Sequence, residues 1–317
     1  MYNNSHQGNR PSDLVRNGKR GVEIGELFAQ LSPSSPSFHD DLPIPSLHDI
    51  LRKEPRIFCI YCGRSHNGKN KLICNPWCDN WIRYPGLRVV NVPLDHVSFS
   101  SVVRQFEQSW RHPDKRCPVV KRVLFVVSSM GSVRRYEEYQ KRIEERRNFT
   151  AVGRPPGNEN RRWHGTRREC SLGEDWSTST WPCKSPTCSV CRIVCDSFDI
   201  ECYKGRTGWG RFGRGIYTSS TSSKADDYSC NLERGSTTKV MILAKVVVGR
   251  GYKMHYNNSS LTAPPVGYDS VCVRSLPLYT SYISGQVLGE TGAQLNYDEV
   301  VVYSNDAIRP AYLVLYD

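Results

Sequence analysis

The sequence predicts an α+β fold, on three observations. Two segments ahead of residue 150 carry apolar residues at spacings of three and four, the pattern of amphipathic helices. Short runs rich in β-branched residues gather toward the C-terminal end, the pattern of buried strands. A length of 317 residues is enough for one sizeable domain plus a smaller module, and no internal repeat points to a solenoid.

The elements follow in order. Residues 1–50 are rich in Asn, Ser, Pro, Gly and Asp, with Pro33, Pro36, Pro43 and Pro45 close together. Such a stretch cannot bury enough apolar surface to offset its ordering entropy, so it is read as a disordered tail, with one short amphipathic piece at Val22–Leu31. Residues 51–92 form a small cysteine module. The domain at 97–317 opens with a helix marked by Phe99, Val102, Val103, Phe106 and Trp110. A strand follows at Arg122–Val127, then a second helix at Val133–Arg147, where Glu137/Lys141 and Glu138/Arg142 form favourable i,i+4 pairs. A Gly/Pro/Asn turn region, 153–160, leads to Trp163-His164-Gly165-Thr166. A cysteine-bearing insertion occupies 170–195, and a glycine-rich segment, Gly205–Gly215, leads into Ile216-Tyr217-Thr218. The last strands are expected at Val240–Val248, Glu299–Tyr303 and Tyr312–Tyr316.

Composition narrows the function class. The first residues lack an apolar signal core, and no apolar run approaches the roughly 20 residues that span a bilayer. The expectation is an intracellular protein, nuclear or cytoplasmic, without membrane contact. The net charge is +12, and it is uneven: residues 1–150 hold 24 Lys+Arg against 15 Asp+Glu, the remainder 19 against 16. A basic front half suits contact with nucleic acid.

Thirteen cysteines without a secretion signal favour metal thiolates over disulfides. Cys59-x2-Cys62-x11-Cys74-x3-Cys78 has two close pairs separated by a short loop, which suits tetrahedral zinc, with His66 as an alternative ligand. In so small a module the metal would supply much of the folding energy. The second set is Cys170, Cys183, Cys188 and Cys191, with Cys195 near enough to compete. Four thiolates leave no open position, so zinc there is expected to be structural. Cys117, Cys202, Cys230 and Cys272 are read as ordinary, mostly buried residues.

Four motifs carry the chemistry: Trp163-His164-Gly165-Thr166; Phe212-Gly213-Arg214-Gly215-Ile216-Tyr217; Ser223-Lys224-Ala225-Asp226-Asp227-Tyr228; and Tyr297-Asp298-Glu299-Val300-Val301-Val302-Tyr303. Taken singly they are ambiguous, although a Glu in an apolar strand must face water, a partner or a site. In this order they resemble the catalytic domain of the poly(ADP-ribose) polymerases. The Val123–Val127 strand, the helix with Tyr136 and Tyr139, Asn158-Glu159 and the final Arg309-to-Val314 strand fit as well. The resemblance covers about residues 97–317, and the cysteine-rich insertion most resembles a fungal subgroup.

The resemblance implies an ADP-ribosyltransferase fold with a split, mixed or antiparallel sheet, NAD as substrate, and His164, Tyr217 and Glu299 as the catalytic set. NAD is cleaved at the nicotinamide–ribose bond through an oxocarbenium-like transition state. Gly165 would hold the nicotinamide amide through its backbone, and Tyr217 and Tyr228 would stack on the ring. His164 and Thr166 would bind ribose hydroxyls of the adenosine half. Glu299 would bind the 2′-hydroxyl of the nicotinamide ribose, stabilise the developing charge and orient the acceptor, with Lys224 beside it. Arg206, Arg211, Arg214 and the amides of the glycine-rich segment could cradle the pyrophosphate. The family usually has a serine hydroxyl three residues before the second stacking tyrosine; here that position is Ala225, and Ser222 or Ser223 would have to substitute by a local shift. The expected reaction is transfer of ADP-ribose to a protein or nucleic-acid acceptor, with mono- and poly-transfer both open. The alternatives are a module that binds NAD or ADP-ribose, and nucleic acid, without turnover, and an NAD glycohydrolase.

Overall fold

The computed structural model describes residues 56–67, 72–83, 86, 88–174, 181–202, 210–232, 236–254, 256–273 and 298–317. The expected tail, the Val22–Leu31 piece, Arg206 and Tyr297 lie outside the described residues. The described chain falls within one compact unit, Ser46–Asp317.

Eleven strands are present among the described residues: β1 (Val89–Asn91), β2 (Val120–Val126), β3 (Glu159–Gly165), β4 (Arg167–Arg168), β5 (Ile216–Ser219), β6 (Cys230–Asn231), β7 (Lys239–Val247), β8 (Gly251–Met254), β9 (Ser270–Val273), β10 (Glu299–Val302) and β11 (Ile308–Tyr316). Nine of them form one sheet in the order β1-β2-β11-β7-β3-β5-β10-β9-β8; β4 and β6 form a small separate pair. Every pairing in the large sheet is antiparallel except β8 with β9. The nine strands are continuous rather than split, but the ladder thins at one point. β3 and β7 share seven register pairs, whereas β3 and β5 meet at a single pair, Trp163 with Ser219.

The sheet is covered on both faces, and the period of two sorts its side chains. From β7, Ile242, Ala244 and Val246 enter one apolar cluster, and Met241 and Leu243 enter the other. The first cluster is capped by α4 (Ser189–Asp196), through Val190, Cys191 and Val194. The second is capped by α2 (Val97–Gln108), through Phe99, Val102 and Phe106. The cysteine module, with α1 (Pro76–Arg83), adds Cys59, Leu72, Ile73, Cys78 and Ile82 to that same second cluster. α5 (Ser222–Asp226) is a short helix directly after β5.

Two boundaries differ from expectation for identifiable reasons. α3 runs Met130–Arg147 and so begins before Val133, because the Ser129 hydroxyl accepts from the Ser132 amide and caps the helix there. β11 starts at Ile308 rather than Tyr312. Pro310 would ordinarily end a central strand, but the register shifts between Pro310 and Tyr312, and this irregularity accommodates it.

Candidate active site

His164, Tyr217 and Glu299 stand on three neighbouring strands, β3, β5 and β10, and all three line one cavity of about 920 Å³. That volume is at the upper end of small-molecule sites. β10 pairs with β5 in a register that places Glu299 opposite Ser219 and Val301 opposite Tyr217. Residues of β3 and β5, whose ladder is reduced to one pair, both border the cavity.

β3 is fixed by its tryptophan. Trp163 is fully buried, its indole N–H donates to the Ser109 hydroxyl at 3.0 Å, and its ring meets Phe106 edge-on. The next residue, His164, places Nδ1 2.9 Å from the Tyr217 carbonyl oxygen. A carbonyl only accepts, so Nδ1 carries the proton and Nε2 carries a lone pair. Burial holds the imidazole pKa below its ordinary value, which outweighs the opposite pull of the Tyr217 carbonyl. Phe198 packs edge-on against the ring at 5.1 Å. Gly165 has a further reason to be glycine: a Cβ there would lie 1.8 Å from the Ala225 carbonyl oxygen and 3.0 Å from the Ser229 amide nitrogen. Strand and short helix therefore touch backbone to backbone.

Glu299 is buried, and Lys224 Nζ lies 2.8 Å from its Oε1. The ion pair offsets part of the cost of burying the carboxylate. Oε2 has no hydrogen-bond partner among the described residues. The neighbouring Asp298 is clamped: Arg162 Nη2 donates to it at 2.6 Å, the Ser220 amide and hydroxyl donate to its other oxygen, and the Ser219 hydroxyl donates to its main-chain carbonyl. Burial pushes the Asp298 carboxyl up, but Arg162 and Ser220 outweigh it and hold its pKa below the usual value. Tyr228 lines the cavity and is largely exposed to solvent; partial desolvation and the nearby Glu299 charge raise its phenol pKa.

The remaining expected site residues divide. Gly165, Thr166, Arg211, Lys224 and Tyr228 all line the cavity. The Arg214 guanidinium instead pairs with Glu201. Three amides of the described part of the glycine-rich segment are already used: Phe212 N–H donates to Tyr217 Oη, Gly213 N–H to the Gly210 carbonyl and Arg214 N–H to the Leu261 carbonyl. Gly213 adopts φ +71°, and a Cβ there would strike Leu261. These glycines serve a tight turn, and these three amides are not free for a phosphate. Ser222 and Ser223 do not supply the missing hydroxyl either. Both are fully buried; Ser222 Oγ donates to the Phe106 carbonyl at 2.7 Å and Ser223 Oγ accepts from the Arg111 amide at 3.0 Å.

Among the described residues two groups of four sulfurs each lie within 4.8 Å: Cys59, Cys62, Cys74 and Cys78; and Cys170, Cys183, Cys188 and Cys191. Neither group includes His66 or Cys195. Closest sulfur pairs run 3.7 and 3.5 Å in the first group and 3.9 and 3.4 Å in the second. A disulfide would need about 2.05 Å. Zinc–sulfur bonds of about 2.3 Å at tetrahedral angles put sulfurs about 3.8 Å apart, so both sets fit such an ion. Cys117, Cys202 and Cys272 are half-buried and Cys230 is exposed, so the expectation that these four are mostly buried does not hold; Cys202 and Cys230 stand at the cavity wall.

Sequence reasoning missed the wall opposite the sheet, where Arg167, Thr187, Arg192 and Ile193 line the cavity. It also missed the Arg162–Asp298 pair, 136 residues apart in sequence, which no local pattern could signal.

Residues 183–317 match the sequence model of the poly(ADP-ribose) polymerase catalytic domain, a span that includes Tyr217 and Glu299 and begins after His164. The chain is 27% identical over 160 residues to the human protein mono-ADP-ribosyltransferase PARP3, covering 50% of this chain and 23% of that protein. It is 36% identical over 66 residues to the mouse protein of the same name, covering 20% of this chain and 12% of that one. To human protein mono-ADP-ribosyltransferase PARP4 it is 30% identical over 109 residues, covering 34% of this chain and 6% of that one. The matched stretch thus spans less than a quarter of each relative. Residues 183–317 therefore resemble the poly(ADP-ribose) polymerase catalytic domain, with Tyr217 and Glu299 on adjoining strands inside the matched span.

Proposed function

We propose that this protein transfers ADP-ribose from NAD to a macromolecular acceptor and releases nicotinamide. The observation that carries the reading is Glu299: a buried carboxylate on the cavity wall, with one oxygen on Lys224 and the other without a partner among the described residues. An unpartnered buried oxygen is costly unless a ligand group completes it. A ribose 2′-hydroxyl would do so, and the same carboxylate would stabilise positive charge as the glycosidic bond breaks. The neutral His164 ring presents an acceptor at Nε2, which suits a hydroxyl of the other ribose. Tyr217 and Tyr228 flank the space where a flat nicotinamide would lie. Arg211 is the member of the arginine set that stands at the cavity and would face the pyrophosphate.

Both thiol groups would hold zinc in structural, closed sites. Thirteen cysteines without a disulfide among the described residues support a reducing compartment, nuclear or cytoplasmic. No helix among the described residues is long and apolar enough to cross a membrane.

The test is incubation with labelled NAD, with and without nucleic acid, resolving label on protein, on nucleic acid and as free ADP-ribose. Label on a macromolecule is expected, and its length separates mono- from poly-transfer. Glu299→Gln keeps a hydrogen-bonding side chain and should cut transfer by on the order of 10²–10³ while leaving the melting temperature close to the parent's. Ala225 favours a second reading, a cavity that binds NAD without turnover. Retained NAD binding with no nicotinamide release would establish that reading instead.

A further inference from the structure

We infer that the metal site at Cys170, Cys183, Cys188 and Cys191 clamps the wall of the NAD cleft, so that metal and NAD bind cooperatively. The inference rests on the transferase reading above.

The four thiols come from three separate pieces of chain. Cys170 follows β4, Cys183 lies in the loop beyond it, and Cys188 and Cys191 bracket the first turn of α4. Two backbone amides already point at the sulfurs: Glu169 N–H lies 3.4 Å from Cys188 Sγ, and Cys183 N–H lies 3.3 Å from Cys191 Sγ. Amides directed at sulfur favour the thiolate form, which is the form that binds metal.

What those thiols hold in place is the cavity wall. Between Cys183 and Cys188, Pro186 and Thr187 line the cavity; beyond, so do Ser189, Arg192, Ile193 and Asp196 of α4. Thr187 is tied back by its carbonyl, which accepts from the Arg167 guanidinium at 3.3 Å. The chain leaving α4 places Phe198 on the His164 ring. One continuous segment therefore runs from the sulfur cluster, through the wall, to a residue of the proposed catalytic set.

The wall has limited means of its own. α4 has eight residues, well short of the roughly 12–15 at which an isolated helix becomes marginal. Its core anchors are Val190, Cys191 and Val194, and Ile193 packs against the same cluster while also lining the cavity. The loop from 181 to 188 has no regular structure. A tetrahedral ion would join loop, β4 and helix at one point and fix two of the arginines that line the cavity, Arg167 and Arg192. Energetic coupling between two ligands is reciprocal, so if metal favours NAD binding then NAD must retain the metal.

The experiment follows zinc release from the full zinc-loaded chain into a colorimetric chelator, with and without saturating NAD; calorimetry on the same sample confirms NAD binding. Two zinc equivalents are expected, released separately, and Cys183→Ser should remove one phase. NAD is expected to slow that phase about tenfold or more and to leave the other phase, from Cys59, Cys62, Cys74 and Cys78, unchanged. Cys183→Ser, which removes zinc from this site, should weaken NAD binding about fivefold or more. Unchanged release with NAD demonstrably bound overturns the clamp alone. A single zinc equivalent, with none lost in Cys183→Ser, also overturns it. A zinc-loaded chain that does not bind NAD overturns the transferase reading and the clamp together.

Discussion

Three residues of the cleft make separable predictions. Gly165 sits against the backbone of Ala225 and Ser229, so Gly165→Ala must push β3 and α5 apart; NAD binding should be lost and the melting temperature lowered, checked by calorimetry and thermal unfolding. Ala225→Ser restores a hydroxyl on the cavity wall, and one neutral hydrogen bond is worth about 1 kcal/mol. NAD should bind roughly fivefold tighter, and a dissociation constant no better than the parent's would show that the hydroxyl has no role here. His164 supplies a pH dependence. Its folded pKa lies below the free value of about 6.5, so the folded state favours the neutral ring. The unfolded chain then binds more protons near pH 6, and stability rises with pH. The contribution is full above about pH 6.5 and is lost as pH falls through the lowered folded value. The difference in unfolding free energy between parent and His164→Asn should accordingly shrink on acidification.

Elements decide how well those residues are held. β10 carries Glu299, and its start is pinned by Asp298 through Arg162, Ser219 and Ser220. Asp298→Ala would leave the buried Arg162 charge without that partner, at a cost on the order of 2 kcal/mol for a partly exposed pair. Urea unfolding should show that loss, and kcat for transfer should fall while KM for NAD changes less. α5 is anchored from behind by Ser222 and Ser223 on the end of α2, and by Asp226, which accepts from Lys239 and from the Tyr316 hydroxyl. Most of this architecture was legible where the cause is local. The periodicity of Phe99, Val102 and Phe106 marks α2, and the β-branched run before Val127 marks β2. The motif order places His164, Tyr217 and Glu299. What was hidden is tertiary. The start of α3 depends on a cap at Ser129, the length of β11 on an irregularity after Pro310, and the engagement of Ser222 and Ser223 on contacts more than 100 residues away. For the described part of the glycine-rich segment the reason is related: composition shows that the chain turns, not which acceptors the Phe212, Gly213 and Arg214 amides meet.

For the whole molecule, the cysteine module is part of the main fold. Cys59, Leu72, Cys78 and Ile82 share an apolar cluster with α2 and with Val314 and Tyr316 of the final strand. Loss of metal from the first thiol group should therefore reach the sheet. Chelation under reducing conditions is expected to lower the melting temperature of the entire cooperative transition, rather than to reveal a separate early one, by differential scanning calorimetry.

The single pair that joins β3 to β5 has a mechanical meaning. The sheet is two stiff plates sharing one rung, and the proposed reactive groups sit on both sides of the joint. A dinucleotide lying along it would contact both plates and act as the rungs that the backbone omits. Amides along β5 should then exchange with solvent faster than those of β7 in the free chain, and slow the most when NAD is bound.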